Sequence, residues 1–280
     1  MAEGKLSLSM ARGTGETQRA DRWWVQPLVV FLGFSAFIVY STWAALQGEH
    51  YWLAKDPNPT VERKYEANYL SPFYSPEIFG QSPHALLGGK PAWWPGWLPF
   101  SAALLILPFP GLFRFTCYYY RGAYYKAFWA DPLNCGVGEP RKSYWGENSL
   151  PLIMQNLHRY ALYIALIFIV LLFWDFVQAL RFKGPDGWHF GIGIGTIVLL
   201  LNVLLLGSYA LGCHSLRHLI GGNSDELGKS PTQKKAYDCV SCLNQRHMLF
   251  AWCSLFWVGF SDVYVRMCSM GVWTDFRIVF

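Results

Sequence analysis

Gly207-Ser208-Tyr209-Ala210-Leu211-Gly212-Cys213-His214-Ser215-Leu216-Arg217-His218 ends a long apolar segment of the chain. Within six residues, hydrocarbon side chains give way to a thiol, two imidazoles and a guanidinium. Ionisable and metal-ligating groups are costly to place at a membrane boundary, so they mark function by default. The reading then turns on whether the apolar segments span a bilayer, and on which other residues reach the depth of Cys213.

Of the 280 residues, 53% are apolar and only 15% are charged. Soluble domains run at roughly 45–50% and about 25%. The 14 Trp, 16 Tyr and 20 Phe suit a protein whose rings sit at membrane interfaces. A bilayer core of about 30 Å needs about 20 apolar residues in a helix. Five segments meet that: residues 24–47, 97–120, 157–180, 189–213 and 247–265. Pro99, Pro108 and Pro110 predict a bend in the second, tolerated where neighbouring helices re-satisfy the backbone. The expected fold is an all-α integral membrane protein of five transmembrane helices, with helices two to five forming a bundle. Residues 1–23, carrying Lys5, Arg12, Arg19 and Arg22, lack the apolar core of a signal peptide and read as a cytoplasmic segment. Residues 24–280 form one anchor domain, with an outer loop at 48–96 and cytoplasmic loops at 121–153 and 219–238. That outer loop, rich in Pro, Tyr and Asn, is expected to be an ordered cap on the membrane surface.

Orientation follows from the basic residues. Fifteen of the 23 Lys and Arg fall at the N-terminus, in 114–147, at Arg159 and in 217–246. The positive-inside rule puts that side in the cytoplasm and the C-terminus outside. The net charge of +5 includes no basic tail, which argues against a nucleic-acid partner. Most of the seven cysteines lie on the cytoplasmic side, where thiols stay reduced, so they read as ligands or packing groups rather than bridges.

Folding the five segments brings four ligand-type residues to one level. Helix two ends near Cys117, helix three begins at His158, helix four ends at Cys213 and helix five begins at His247. His158 shares a face with Ala161, Leu162 and Ala165, small residues that let helices approach. His247 shares a polar stripe with Asn244, Ala251, Ser254 and Val258, extended by Asp262. Polar stripes in membrane helices face the bundle interior. Asn202, at helical spacing from Tyr209 and Cys213, is expected to face inward as well.

Two thiols and two imidazoles have two main chemical readings. They match a Rieske-type [2Fe–2S] cluster, in which two histidines replace two cysteines on one iron and raise the potential. Alternatively, a histidine pair clamps a b-type haem while the cysteines only pack; His158 with His247, or His214 with His218, are the pairs available. Zinc fits by ligand type. His218 and His214 compete with His247 for the ligand role. Cys239 and Cys242 form a single C-x-x-C, read as loop or helix start; Cys135 reads as a loop thiol, and His50 and His84 as exposed loop histidines.

Arg114, Arg121, Arg159, Arg217 and Arg246 form a basic belt suited to snorkelling, to docking a soluble partner or to holding a quinone carbonyl. Arg159, Arg246 and Tyr119 are the candidate quinone-binding residues. Tyr118, Tyr119, Tyr120, Tyr124 and Tyr125 suggest a partner surface. Asp262 and Arg266 read as a local i,i+4 pair. Gly191, Gly193 and Gly195 are expected to open helix four and let helices pack closely. A non-redox transporter or scaffold predicts polar residues running through the bilayer; here they gather at one edge, with Asn202, Ser254 and Asp262 lying deeper or beyond.

Arg114-Phe115-Thr116-Cys117-Tyr118-Tyr119-Tyr120-Arg121-Gly122-Ala123-Tyr124-Tyr125, Gln155-Asn156-Leu157-His158-Arg159-Tyr160, Cys213-His214-Ser215-Leu216-Arg217-His218 and Leu243-Asn244-Gln245-Arg246-His247-Met248 resemble the single-chain, cytochrome-b-type membrane anchor of actinobacterial succinate dehydrogenase, respiratory complex II. Tyr69-Leu70-Ser71-Pro72-Phe73-Tyr74-Ser75-Pro76 fits too, and the resemblance covers nearly all of 24–280. It implies a bacterial plasma-membrane protein that holds a flavoprotein subunit and an iron–sulfur subunit at the cytoplasmic face. It further implies a Rieske-type [2Fe–2S] cluster in place of haem, with Cys117, His158, Cys213 and His247 as ligands, reducing a quinone from the lipid. Family motifs at 213–218 sometimes carry a second Cys where this chain has Leu216, so that position is no ligand here.

Overall fold

The computed structural model describes residues 13–55, 57, 64–143, 146, 148–222 and 224–280. Lys5 and Arg12 of the N-terminal segment lie outside them. The chain divides into two compact units, Met1–Ile38 with Phe115–Leu157, and Val39–Arg114 with His158–Phe280.

Four helices are long and apolar enough to cross a membrane: Val25–Gln47, Leu152–Gln178, Ile194–Leu211 and His247–Ser269. The first is α1, a single 23-residue helix. At 1.5 Å per residue it measures roughly 34 Å, enough for the hydrocarbon core. In the second, a 3₁₀ segment at Leu152–Leu157 leads into α4, His158–Gln178. The segment expected at 97–120 is not one long helix. It is α2, Ala102–Ile106, followed by α3, Pro108–Phe115. Pro108 and Pro110 lack the N–H groups that would bond Leu104 and Ile106, so the ladder breaks there. Leu107 still bonds back to Ala103, and Gly111 to Leu107, both at 2.9 Å, which keeps the two pieces in register.

Within the larger unit, α5 (Ile194–Leu211) and α8 (His247–Ser269) pack antiparallel, and α4 packs on α5. Outward faces of these helices stay apolar and exposed, as with Tyr160, Ile167, Val170, Phe173 and Leu204. Such a wall suits lipid or a partner helix rather than water.

Helix four starts later than its apolar run suggested. Residues 187–193 form strand β4 (Gly187–Gly193), paired antiparallel with β3 (Arg181–Gly184) on one side and β5 (Arg277–Val279) on the other. A smaller pair, β1 (Trp52–Leu53) with β2 (Tyr69–Leu70), belongs to the expected cap, which is tightly ordered where described. Tyr51, Leu53, Tyr69, Leu70, Phe73 and Tyr74 are all buried. Gly191 and Gly193 therefore lie in a strand, and their role differs from the helix packing expected of them. A Cβ on Gly191 would sit 2.7 Å from the Phe182 ring, and one on Gly193 or Gly195 would collide with Tyr69.

The C-terminal segment is tied to this cap through Asp275. It accepts hydrogen bonds from Tyr264 Oη at 2.6 Å, Tyr69 Oη at 3.0 Å and the Gly195 amide at 3.0 Å. A second buried carboxylate, Asp262, is ion-paired to Arg266 at 3.2 Å, as the i,i+4 spacing predicted. Tyr40 donates to it at 2.6 Å and Ser71 Oγ also bonds it, while Arg266 donates to the Glu49 carbonyl at 2.8 Å. Both residues are shut away from solvent. Burial of a charge is tolerated only with this kind of pairing.

The expected loop at 219–238 is largely helical. It takes in the end of α6, His214–Gly221, and the first half of α7, Pro231–Gln245, which lie against each other. Asn244 consequently belongs to α7 rather than to the stripe of α8, and donates from Nδ2 to the Gly212 carbonyl at 2.8 Å.

Candidate functional site

All four ligand-type residues stand where a helix is interrupted. Cys213 is the link between α5 and α6, in extended conformation with φ −67° and ψ 138°. Cys117 has nearly the same conformation, φ −68° and ψ 131°, between α3 and a 3₁₀ turn at Tyr118–Tyr120. Both thiols are only 1% exposed. A sulfur in this position precedes a helical turn, whose free N–H groups favour negative charge on it. Burial pushes the Cys213 thiol up, and the amides of Ser215 and Leu216, which face its sulfur, offset part of that. His158 is the first residue of α4, and His247 is the first of α8, just after the break at Arg246 with φ −115° and ψ 20°.

Gly212 makes the Cys213 link possible. A Cβ there would meet the Ser208 carbonyl at 2.7 Å and the Leu243 backbone at 3.2 Å. Glycine lets the end of α5 approach the end of α7 closely enough for Asn244 to bond the Gly212 carbonyl.

Cys117 belongs to the smaller unit; His158, Cys213 and His247 belong to the larger. Inside the larger unit, His158 Nε2 lies 3.1 Å from Cys213 Sγ, a hydrogen-bond contact between an imidazole and a buried thiol. His158 stacks on Phe113, with ring centroids 4.8 Å apart and planes 12° apart. Phe113 in turn meets Tyr209 at 5.2 Å, and Tyr209 stacks on His247 at 5.0 Å. His247 is 2% exposed, and Ala251, Ser254 and Asp262 of its stripe are buried with it. The inward face expected of helix five is therefore present over 247–262. Among the described residues, no group of three or more His, Cys, Asp or Glu side chains converges as it would around a metal ion.

Arg114 was expected in a basic belt and instead reaches into this unit. Its guanidinium lies over the Tyr209 ring, 4.9 Å from the centroid, and donates to the Ala251 carbonyl at 3.1 Å and Ser254 Oγ at 3.0 Å. Sequence reasoning missed this role, and also missed Phe113 and Tyr209 as the rings linking the histidines. The available signal was the Ala251–Ser254 polar face of α8, which needed a donor. Asn202 faces inward as expected, 1% exposed, with both amide atoms lacking a hydrogen-bond partner among the described residues.

Of the remaining belt, Arg121 and Arg217 are half-buried. Arg159 and Arg246, two of the candidate quinone residues, are exposed; Tyr119, the third, is half-buried against the Tyr118 ring at 5.6 Å. Arg217 covers the Tyr237 ring at 4.9 Å, and Arg121 the Tyr118 ring at 5.0 Å. Of the five clustered tyrosines, Tyr120 and Tyr124 are buried and pack on Phe34. His214 and His218 are both exposed on α6, with their Nε2 atoms 3.2 Å apart. Cys239 and Cys242 lie exposed on α7 rather than in a loop. His84 is half-buried rather than exposed, and Cys268 is buried as a packing residue.

No curated protein sequence matches the chain. Residues 25–271 match the family model described as actinobacterial succinate dehydrogenase subunit SdhC. A chain of the Mycobacterium smegmatis Sdh1 complex in the apo form is 38% identical, with a TM-score of 0.81 and coverage of 100% of both chains. With four apolar helices of spanning length, a fold shared over the full chain and a family match from α1 to beyond α8, this chain belongs to the actinobacterial SdhC family: it is a multi-pass membrane-anchor subunit of succinate dehydrogenase in the bacterial plasma membrane.

Proposed function

We propose that the chain conducts electrons from the soluble iron–sulfur subunit to a quinone, through a Rieske-type [2Fe–2S] cluster held by Cys117, His158, Cys213 and His247. The observation that carries this reading is the 3.1 Å contact of His158 Nε2 with the buried Cys213 thiol, with His247 joined to the same aromatic stack. The donor set fits the group: two buried thiols and two imidazoles, each cysteine just before a helical turn. When bound, such a cluster supplies one-electron transfer at a potential raised by imidazole ligation.

The chain's own residues prepare the site. Phe113 and Tyr209 fix the planes of His158 and His247. Arg114 holds Tyr209 from α3 and locks α3 to α8. Burial of Cys213 excludes water, which strengthens local electrostatics. The ring nitrogens of His158 and His247 not used as ligands can hold or release a proton. Arg159, Arg246 and Tyr119 form the quinone-facing set, together with residues of the iron–sulfur subunit.

In this reading the N-terminus and the Cys213 end of the bundle are cytoplasmic, the C-terminus is outside, and α2 with α3 forms a fifth, bent crossing. Residues 24–280 act as one anchor, with 1–23 a cytoplasmic segment. Flavoprotein and iron–sulfur subunits dock on the cytoplasmic face, and quinone and lipid occupy the membrane side. Haem ligation by His214 with His218 is disfavoured by geometry. These two imidazoles share one helix face with nitrogens 3.2 Å apart, too close together to hold a haem between them.

Electron paramagnetic resonance of the dithionite-reduced complex tests the proposal. The expected signal is a low-average-g [2Fe–2S] spectrum that disappears in His158→Ala/His247→Ala. A sharp reduced α band in the optical spectrum, or no iron beyond that of the soluble subunits, would overturn it.

A further inference from the structure

His214 and His218 form a second pair of metal-ligand type, distinct from the set assigned above. They are four residues apart on α6, and both are exposed. Their Nε2 atoms are 3.2 Å apart, and their ring centroids 4.8 Å apart with planes at 80°. Residues at i and i+4 share one face of a helix. Two nitrogens bound to one zinc ion at about 2.0–2.1 Å, at a tetrahedral angle, lie roughly 3.3 Å apart. The observed separation is close to that span, so no helix distortion is needed to bring both nitrogens onto one ion.

We infer that His214 and His218 form a surface site for a divalent transition cation of the zinc class, bound through both Nε2 atoms. Among the described residues no third His, Cys, Asp or Glu joins the pair, so water completes the coordination. Imidazole suits zinc, copper and nickel rather than magnesium or calcium. In the metal-free pair, one Nε2–H donates to the other Nε2. Binding forms two nitrogen–metal bonds; the six-coordinate aqua ion releases four waters and keeps two, which completes a tetrahedral site. The ring that donated carries its proton on Nδ1 instead, so no proton is lost from the neutral pair.

Contacts with α7 brace the platform. Gln233 of α7 donates from Nε2 to the Ile220 carbonyl at 2.6 Å, and Gly221 sits against the Tyr237 ring. Arg217, the neighbouring cation on α6, is turned onto that same ring.

Equilibrium dialysis of the intact detergent-solubilised complex against zinc chloride, with metal analysis, tests the site. Wild type should bind one zinc per anchor chain beyond the complement that His214→Asn and His218→Asn retain. Each variant should weaken binding by about tenfold or more, since even outer-shell changes cost 10–100-fold. Equal zinc binding by wild type and both variants would overturn the proposal. A variant-free measurement guards against misfolding: mass-spectrometric mapping of diethyl pyrocarbonate modification with and without zinc. Zinc should protect His214 and His218 together, with one concentration dependence, while His50 stays reactive. Failure of zinc to protect the pair, or no reaction of the pair even without zinc, would equally sink it.

Discussion

The Arg114 guanidinium lies 4.9 Å from the centroid of the Tyr209 ring, and that ring stacks on His247 at 5.0 Å. A cation, a phenol and an imidazole thus form one contiguous stack from α3 through α5 to α8. Arg114 also donates to the Ala251 carbonyl and Ser254 Oγ on α8. Arg114→Gln should lower the stability of the anchor by about 2–3 kcal/mol, the range of a part-buried charged hydrogen bond plus a cation–π contact. Arg114→Lys should recover little of this, because one ammonium cannot serve two acceptors in a planar fork and cover the ring. Thermal unfolding of the purified complex reads the difference.

His158→Ala with His247→Ala should abolish succinate:quinone reduction while leaving succinate oxidation by a soluble dye. The soluble subunits do not need the anchor's imidazoles to deliver electrons to a dye. Retained quinone reduction would remove these two residues from the electron path.

The Asp262–Arg266 pair is closed from solvent, with side chains 0% and 2% exposed. Removing one partner should cost about 3–5 kcal/mol, because it strands the other charge. Asp262→Leu/Arg266→Met together should cost less than either single change. A double-mutant cycle by thermal unfolding measures the coupling, and additive losses would contradict it.

Gly193→Ala should destabilise the β4 end of α5 by about 1–3 kcal/mol through overpacking against the buried Tyr69 hydroxyl. Tyr69→Phe removes that oxygen and should offset part of the loss. It will not offset all of it, since Asp275 Oδ2 lies 2.8 Å from the added carbon.

His84 is half-buried, and burial lowers its pKa below the usual 6.5. The folded state therefore favours the neutral ring. Its contribution to stability is complete above the unfolded pKa and falls away as the pH drops from there through the lower folded pKa. His84→Asn should flatten the stability–pH curve between about pH 7 and 5. Thermal unfolding at intervals across that range checks the slope.

Long apolar runs made α1, α4 and α8 legible, because twenty hydrocarbon side chains in sequence have few places to go except a bilayer helix. The inward facing of His247, Ser254 and Asp262 was legible for a related reason, since one polar stripe repeats at helical spacing. Two things were not legible. The strands at 181–184, 187–193 and 277–279 depend on partners distant in sequence, and their apolar content merges with the start of helix four. The helices at 214–221 and 231–245 carry little apolar periodicity and are secured by mutual contacts such as Gln233 with Ile220. Arg114 was misplaced because charge near a helix end usually snorkels to water, and only the packed bundle reveals acceptors on α8 within its reach.

The ion pair at Asp262 and Arg266 has a consequence for biogenesis. Both charges sit on one helix, one turn apart, so α8 can meet its own neutralisation before any neighbour arrives. A lone buried ion would raise the cost of lateral release into lipid, whereas a pre-formed dipole asks much less of the insertion machinery. Tyr40, Ser71 and the Glu49 carbonyl add further partners in the folded chain. The spacing thus gives α8 its own counter-charge, independent of the cap that closes over it.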